Sequence, residues 1–286
     1  MKKRLNAQTR RVDNKGIWMA KTKICLVGAA GRMGLEFVRA ASASKVAEVV
    51  SAIDTALSPS IGKDVGELVG IGPQGAIINT DLATGASACD VIVDLSLPIA
   101  TQSVIAAAKT AKKPIVCGTT GLTSAVLLLF DEAAKEIPVI QVTNFSQGVA
   151  VLSILVEQAA RLLGESFDIE VVEMHHRNKV DAPSGTALTL AASAAAGRNI
   201  DADGAIRNGR EGHTGIRSAT EIGMHALRGG GVFGDHTVIF ASPAERVELV
   251  HKAESRAMFA EGAVKAAVFL AVQKPGRYTM RNVLGL

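Results

Sequence analysis

The chain has 286 residues, 48% of them hydrophobic and 20% charged, with a formal net charge of +4. That length and balance exclude a disordered chain and allow one large domain or two ordinary ones. The positive excess sits at the start: Lys2, Lys3, Arg4, Arg10, Arg11 and Lys15 face only Asp13, which leaves about −1 for the rest. A nearly neutral body argues against a nucleic-acid surface.

The leader has no apolar core and no small-residue cleavage site, so it does not read as a secretory signal. The expectation is a disordered leader over residues 1–20, or an upstream start codon with Met19 or a neighbour as the true beginning; an amphipathic transit peptide is the alternative. Cys25, Cys89 and Cys117 are odd in number and scattered without a CxxC pair, so neither a disulfide framework nor a zinc site is indicated. No run of 18 apolar residues suggests a membrane span. A reduced, cytoplasmic enzyme is expected. With aromatics at 3%, its core must be built from Val, Ile, Leu and Ala, the usual filling of parallel sheets buried on both faces.

From Lys23 the chain alternates short β-branched runs with helical stretches. Strands are predicted over residues 23–28, 46–54, 90–96, 114–118 and 138–142, and helices over 32–43, 98–112 and 123–136. A Gly-rich loop fills the span to Gly75. Parallel neighbours need a crossover helix, so this rhythm predicts an α/β, Rossmann-like, doubly wound parallel sheet. After Asn144 the pattern changes. A helix over 148–163, a strand over 167–174 and an Ala-rich helix over 184–196 ended by Gly197 come first. Candidate antiparallel strands over 221–227, 236–241 and 245–251 follow, with the Gly229–Gly234 turn joining the first two. A last helix covers 255–272. This predicts a second, α+β domain with a mixed sheet, beginning near residue 146.

Gly28-Ala29-Ala30-Gly31-Arg32-Met33-Gly34 lies between the first strand and the first helix. Gly28 would end the strand in a tight turn, Gly31 would let backbone approach a pyrophosphate, and Gly34 would allow close helix–sheet packing. The helix N-terminus would then offer free N–H groups to the phosphates. A glycine-rich turn without a ligand is the plainer alternative. Asp54 closes the second strand, 20 residues after Gly34, where a carboxylate accepts hydrogen bonds from the adenosine ribose. A carboxylate there repels a 2′-phosphate, and Thr55 beside it adds no positive charge, so NADH is expected to serve at least as well as NADPH. Gly118-Thr119-Thr120-Gly121 and Val142-Thr143-Asn144-Phe145 end later parallel strands. Either could reach the nicotinamide half or be an ordinary turn.

The second half holds Glu173-Met174-His175-His176-Arg177-Asn178-Lys179-Val180-Asp181-Ala182-Pro183-Ser184-Gly185-Thr186-Ala187. Adjacent strand residues point to opposite faces, so His175 and His176 do not act as one unit if the strand runs through them. Arg177 and Lys179 add positive charge. Ser184-Gly185-Thr186 opens a helix whose N–H groups and hydroxyl suit an anion. Together these predict a pocket for a small carboxylate substrate with one proton donor. No metal site is expected, because adjacent histidines lack the ligand spacing of zinc sites. Arg210–Gly215 (REGHTG) reads as a polar loop without a firm role.

The runs GAAGRMG, GTTG, NFSQGV, EMHHRNKVDAPSGTA and REGHTG, in that order over about residues 21–286, resemble the bacterial 4-hydroxy-tetrahydrodipicolinate reductase family. The resemblance implies NAD(P)H-dependent reduction of a cyclic imine dicarboxylate, with loss of water, in lysine biosynthesis through diaminopimelate. It implies a dinucleotide-binding domain of residues 21–146 completed by 256–286, and a substrate and tetramerisation domain of 147–255 in a homotetramer. Gly28, Ala29, Ala30, Gly31, Arg32 and Met33 match the pyrophosphate loop, and Asp54 the ribose carboxylate. Gly118, Thr119, Thr120, Val142, Thr143, Asn144 and Phe145 match the nicotinamide end. His175 matches the proton donor and Lys179 the second catalytic residue, with His176, Gly185 and Thr186 as substrate contacts. Asn178 stands where some members have a third His. Thr55 and Leu97 stand where some have Arg, which weakens NADPH-specific binding. Two rivals remain: another two-domain dehydrogenase of amino-acid metabolism, and a non-catalytic nucleotide-sensing protein.

Overall fold

The computed structural model of the protein describes residues 20–286; the expectation for the basic leader lies outside the described residues. In chain order the first elements are β1 (Thr22–Val27), α1 (Arg32–Ser44), β2 (Ala47–Ile53), α2 (Val65–Leu68), β3 (Ile78–Asn79), α3 (Leu82–Ala88) and β4 (Val91–Asp94). Next come α4 (Pro98–Ala111), β5 (Ile115–Cys117), α5 (Ser124–Ala134), β6 (Pro138–Gln141), α6 (Gln147–Leu163), β7 (Asp168–His175), α7 (Gly185–Arg198), α8 (Ala202–Ala205) and β8 (Ile206–Asn208). The last are β9 (Ile222–Arg228), β10 (Asp235–Ala241), β11 (Arg246–Lys252), α9 (Ala257–Leu270), β12 (Gly276–Tyr278) and α10 (Met280–Val283). They form two compact units: residues 20–145 with 259–286, and residues 146–258.

The first unit is a seven-stranded parallel sheet in the order β12-β6-β5-β4-β1-β2-β3. From β1 the chain winds outward in both directions, so the strand order reverses between β1 and β4. The central strands β4 and β5 are buried along their whole length, as a sheet covered on both faces requires. Cys25, Cys89 and Cys117 are free buried thiols in this core, acting as small apolar side chains. The Gly-rich stretch after β2 is organised by buried Asp64, whose carboxylate caps α2 and accepts from the N–H groups of Gln74 and Gly75. β12, too short to read from its sequence, joins the edge of the sheet beside β6.

The second unit is a mixed sheet in the order β11-β10-β7-β9-β8. Alternation along β7 puts Ile169, Val171, Glu173 and His175 on the buried side and leaves Glu170, Val172 and Met174 on the other. The core joins Ile169, Val171, Val238 and Phe240 of the sheet to Leu152 and Val156 of α6 and to Leu190 and Ala194 of α7. Two expectations need correction. β9 and β10 are not a hairpin: both pair with β7, β9 in parallel and β10 antiparallel, and the Gly229–Gly234 segment passes across the end of β7. Gly197 does not end α7, which runs to Arg198 and is closed by Asn199 in the left-handed region. A Cβ on Gly197 would lie 2.2 Å from the backbone oxygen of Glu157, so the glycine is there to let α7 meet α6.

This sets two effects against each other in Gly197→Ala. Helix propensity alone favours alanine by about 1 kcal/mol. Forcing a methyl against a backbone oxygen costs about 1–3 kcal/mol and the helices must part. The expected outcome is a net loss of stability in denaturant unfolding, and a stabilised variant would refute the close crossing.

Candidate active site

The dinucleotide motif is built by backbone. Gly28 has φ +80°, and a Cβ there would lie 2.6 Å from the carbonyl oxygen of Leu95 on the neighbouring loop. A Cβ on Gly34 would lie 2.2 Å from the oxygen of Gly28, so α1 begins directly beneath the turn. α1 starts at Arg32 after Gly31, which supplies no side-chain cap, and its first turn carries no acid. Its terminal N–H groups thus remain available to a phosphate. Arg32 is exposed, whereas Ala29 is buried and Ala30 and Met33 are half-buried.

Asp54 follows β2 and reaches this turn. Its Oδ2 accepts from the Ala30 N–H at 2.7 Å and its Oδ1 from the Thr55 N–H at 2.8 Å. The carboxylate therefore shapes the glycine turn as well as carrying the charge that a ribose diol would meet. At the adjoining strand ends, Gly118 is covered by the Phe145 ring: a Cβ at 118 would lie 2.3 Å from Cε2 of Phe145. Thr119 is buried and its hydroxyl donates to the Ser96 carbonyl at 3.3 Å, while Thr120 is exposed. Val142, Thr143 and Asn144 line the end of β6, with Thr143 exposed. The structure thus brings Gly28–Met33, Asp54, Gly118–Thr120 and Val142–Phe145 to one edge, the C-terminal ends of parallel strands at the switch in their order. A cradle open only where side chains are absent fits a dinucleotide's pyrophosphate.

In the second unit His175 ends β7, nearly buried, and His176 follows, half-buried, with its Nδ1 buried and unpartnered. Lys179 lies in the next loop and pairs with both oxygens of Asp181 at 2.8 Å. Ser184 caps α7 by accepting the Ala187 N–H, and Gly185 and Thr186 form the helix's first turn.

Three groups on the inner face of this sheet, two of them buried, escaped the sequence reading. Glu173 is fully buried and binds Nδ1 of His175 at 2.6 Å, the Ser184 N–H at 3.0 Å and both terminal nitrogens of Arg228 at 2.8 Å. His236 lies directly across from Glu173 on β10, contacts the Ser184 hydroxyl at 3.2 Å, and sets its ring edge-on to His175 at 5.2 Å. His251 continues the row on β11, its Nε2 3.4 Å from the Ser146 hydroxyl. The one available signal was alternation: residues 173, 175, 236 and 251 fall on the apolar face of their strands, where a polar side chain needs partners. Arg228, at the end of β9, carried no such signal.

Burial lowers the affinity of His175 for a proton, and Lys179 and Arg228 add to this, while Glu173 opposes it. For Glu173, burial favours the neutral acid, but Arg228, His175 and the Ser184 N–H outweigh it and hold the carboxyl below its ordinary range. His236 is pulled down to about 4 by burial and by the charges of His175 and His251. His236 is accordingly neutral at physiological pH.

One unit with a doubly wound parallel sheet and a dinucleotide turn, and a second with a Glu–His–Arg cluster around a buried carboxylate, define a two-unit oxidoreductase of the dinucleotide-dependent class. Residues 22–145 match the family model described as dihydrodipicolinate reductase, N-terminus, and residues 148–284 the model for its C-terminus. The 4-hydroxy-tetrahydrodipicolinate reductase of Alkalilimnicola ehrlichii is 47% identical over 265 residues, covering 93% of this chain and 99% of the relative. That of Methylocella silvestris is 47% identical over 268 residues, covering 94% and 98%. The chain belongs to the dihydrodipicolinate reductase family, and its coenzyme is a nicotinamide dinucleotide. Among solved structures, dipicolinate-bound dihydrodipicolinate reductase from Paenisporosarcina sp. TG-14 has the same fold, with a TM-score of 0.69 at 22% identity, covering 91% of this chain and 97% of that one.

A testable consequence concerns acid stability. His236 takes up a proton near 6.5 when unfolded but only near 4 when folded. The unfolded chain therefore binds more protons within that window, so stability is full above about pH 6.5 and falls as the pH drops through it. By pH 5 the loss should reach roughly 2 kcal/mol in denaturant titrations. A His236→Gln variant should show a shallower fall between pH 7 and 5, and an equally steep fall would exclude His236 as its source.

Proposed function

We propose that this enzyme reduces 4-hydroxy-tetrahydrodipicolinate to tetrahydrodipicolinate, with loss of water, in lysine biosynthesis through diaminopimelate. Family membership over nearly the whole chain carries this reading. The substrate is a cyclic imine dicarboxylate, acted on in the cytoplasm. Among the described residues no helix is long and apolar enough to cross a membrane.

Bound at the first unit, the nicotinamide supplies a hydride to the conjugated ring left by loss of water. The chain's residues do the rest. Gly28, Ala29, Ala30, Gly31, Arg32 and Met33 hold the pyrophosphate, Asp54 the adenosine ribose, and Gly118–Thr120 with Val142–Phe145 the nicotinamide end. The reduced ring needs one proton, and His175 is assigned to deliver it, since an imidazole can both hold and release a proton. Lys179 and the N–H groups at Gly185 and Thr186 bind a substrate carboxylate, with His176 beside them. The Lys179–Asp181 pair supports this role: Asp181 is 57% exposed, and such open pairs contribute about 1 kcal/mol or less, so an entering carboxylate can replace it.

Asp54 also supports use of NADH, since a 2′-phosphate would approach a carboxylate. The far face of the second unit's sheet supports a homotetramer. It carries Val172, Met174 and Ile239, and Leu227 and Val250 are 51% and 49% exposed there.

The assay is coenzyme oxidation coupled to the preceding synthase. NADH should support turnover at least as well as NADPH, and a clear NADPH preference in paired kinetics would overturn the reading of Asp54. His175→Ala should lose about 10²–10⁴ in turnover with coenzyme binding retained. Near-normal turnover would remove His175 from the reaction. Lys179→Ala should raise KM and lower kcat together, and wild-type values for both would refute its role.

A further inference from the structure

Glu173 is a side chain that the reaction scheme above does not use, yet every predicted catalytic group of the second unit connects to it. It is 0% exposed. Oε2 takes His175 Nδ1 and one terminal nitrogen of Arg228, and Oε1 takes the Ser184 N–H and the other. A carboxylate has about four acceptor positions, and all four are filled. Arg228 also donates to the backbone oxygen of Asp181, whose carboxylate holds Lys179. Ser184 in turn starts the helix that presents Gly185 and Thr186.

We infer that Glu173 is the positioning residue for the proton-donating imidazole: it holds the Nδ1–H of His175, which leaves Nε2 as the ring position that exchanges a proton with substrate. This inference rests on the assignment of His175 as donor. The ring nitrogens of a histidine are not equivalent, and the partner of one decides the protonation of the other. Here Nδ1 can face the anion only as a donor. Nε2 lies against the backbone of Gly234, where an added Cβ would come within 2.9 Å of it. The β9–β10 segment therefore passes over His175 without a side chain to cover Nε2.

The charge balance around His175 is set by five segments. Glu173 on its own strand favours the imidazolium. Lys179 from the following loop and Arg228 from β9 oppose it, as does burial. From β10 comes His236, neutral at working pH, and from the start of α7 the uncharged Ser184. Among the described residues Glu173 is thus the anion in direct contact with the ring. Without it nothing would offset burial and the two cations, and the affinity of His175 for its proton would fall further.

The test reads the ring directly. In full-length wild-type protein labelled with 15N-histidine, neutral His175 should carry its proton on Nδ1; the Nε2–H tautomer would overturn the inference. In Glu173→Gln the His175 pKa should fall by about one to three pH units. Because the donor form is lost as pH rises, the alkaline limb of kcat should move to lower pH by the same amount, with kcat down about 10²-fold or more and coenzyme affinity unchanged. Glu173→Asp keeps the anion and should return the limb toward wild type. Arg228→Gln removes a cation and should shift it the other way, to higher pH. If Glu173→Gln does not fold, the wild-type tautomer and the Arg228→Gln shift decide. An unmoved His175 pKa in Glu173→Gln, or an unmoved or acid-shifted limb in Arg228→Gln, would reduce Glu173 to a structural role. Full turnover in His175→Ala would instead remove the donor assignment and leave the tautomer result standing.

Discussion

A charge taken out of water must be answered by its surroundings, and in the second unit that condition falls on Glu173. Burying a carboxylate costs several kcal/mol unless opposite charge and hydrogen bonds replace its hydration. The replacement comes from β7, β9 and the start of α7 at once. Each contact fixes the element that supplies it, so the charge constraint and the geometry of His175, Arg228 and Ser184 are one requirement. The same neighbourhood keeps His236 neutral, because burial and the charges of His175 and His251 outweigh the pull of Glu173.

The first unit meets a different constraint by a different means. Its site is made of backbone, and what matters is where side chains are missing. Gly28 and Gly34 allow turn, loop and helix to meet within distances that any Cβ would forbid. Asp54 ties Ala30 to the end of β2, so the anionic side chain beside the turn also holds it in shape. Phe145 closes over Gly118, and its own carbonyl oxygen sits where a Cβ on Gly262 of α9 would come within 1.9 Å. Small residues on three separate segments are needed for one strand-end edge.

Much of this was legible in the residue order. The β-α-β rhythm from Lys23 onward announced a parallel sheet because parallel strands require crossovers, and the spacing of Gly28, Gly31 and Gly34 marked the turn. The stretch from Glu173 to Ala187 drew attention by its density of chemistry, but its central carboxylate passed unnoticed. Alternation puts this Glu on the apolar face of β7, but a lone carboxylate there has no evident role until its partners, 11 and 55 residues away, are placed. The hairpin expected from β9 and β10 failed for a related reason. A glycine-rich link between two strands favours adjacency, but it cannot show that β7, already in the sheet, pairs with both. Gly197 misled in the same way, since a glycine near a helix end serves equally as a stop or as a crossing point.

Local order by itself determined the alternation of elements, the phosphate-binding turn, the apolar faces and the types of residue available for chemistry, because these depend on neighbours within a few positions along the chain. Only the tertiary structure decided strand adjacency, the close helix crossing and the shared burial of Glu173, His175 and His236 beside Arg228. Those depend on which distant segments compete for the same space and on which partners remain for a polar group once water has been excluded.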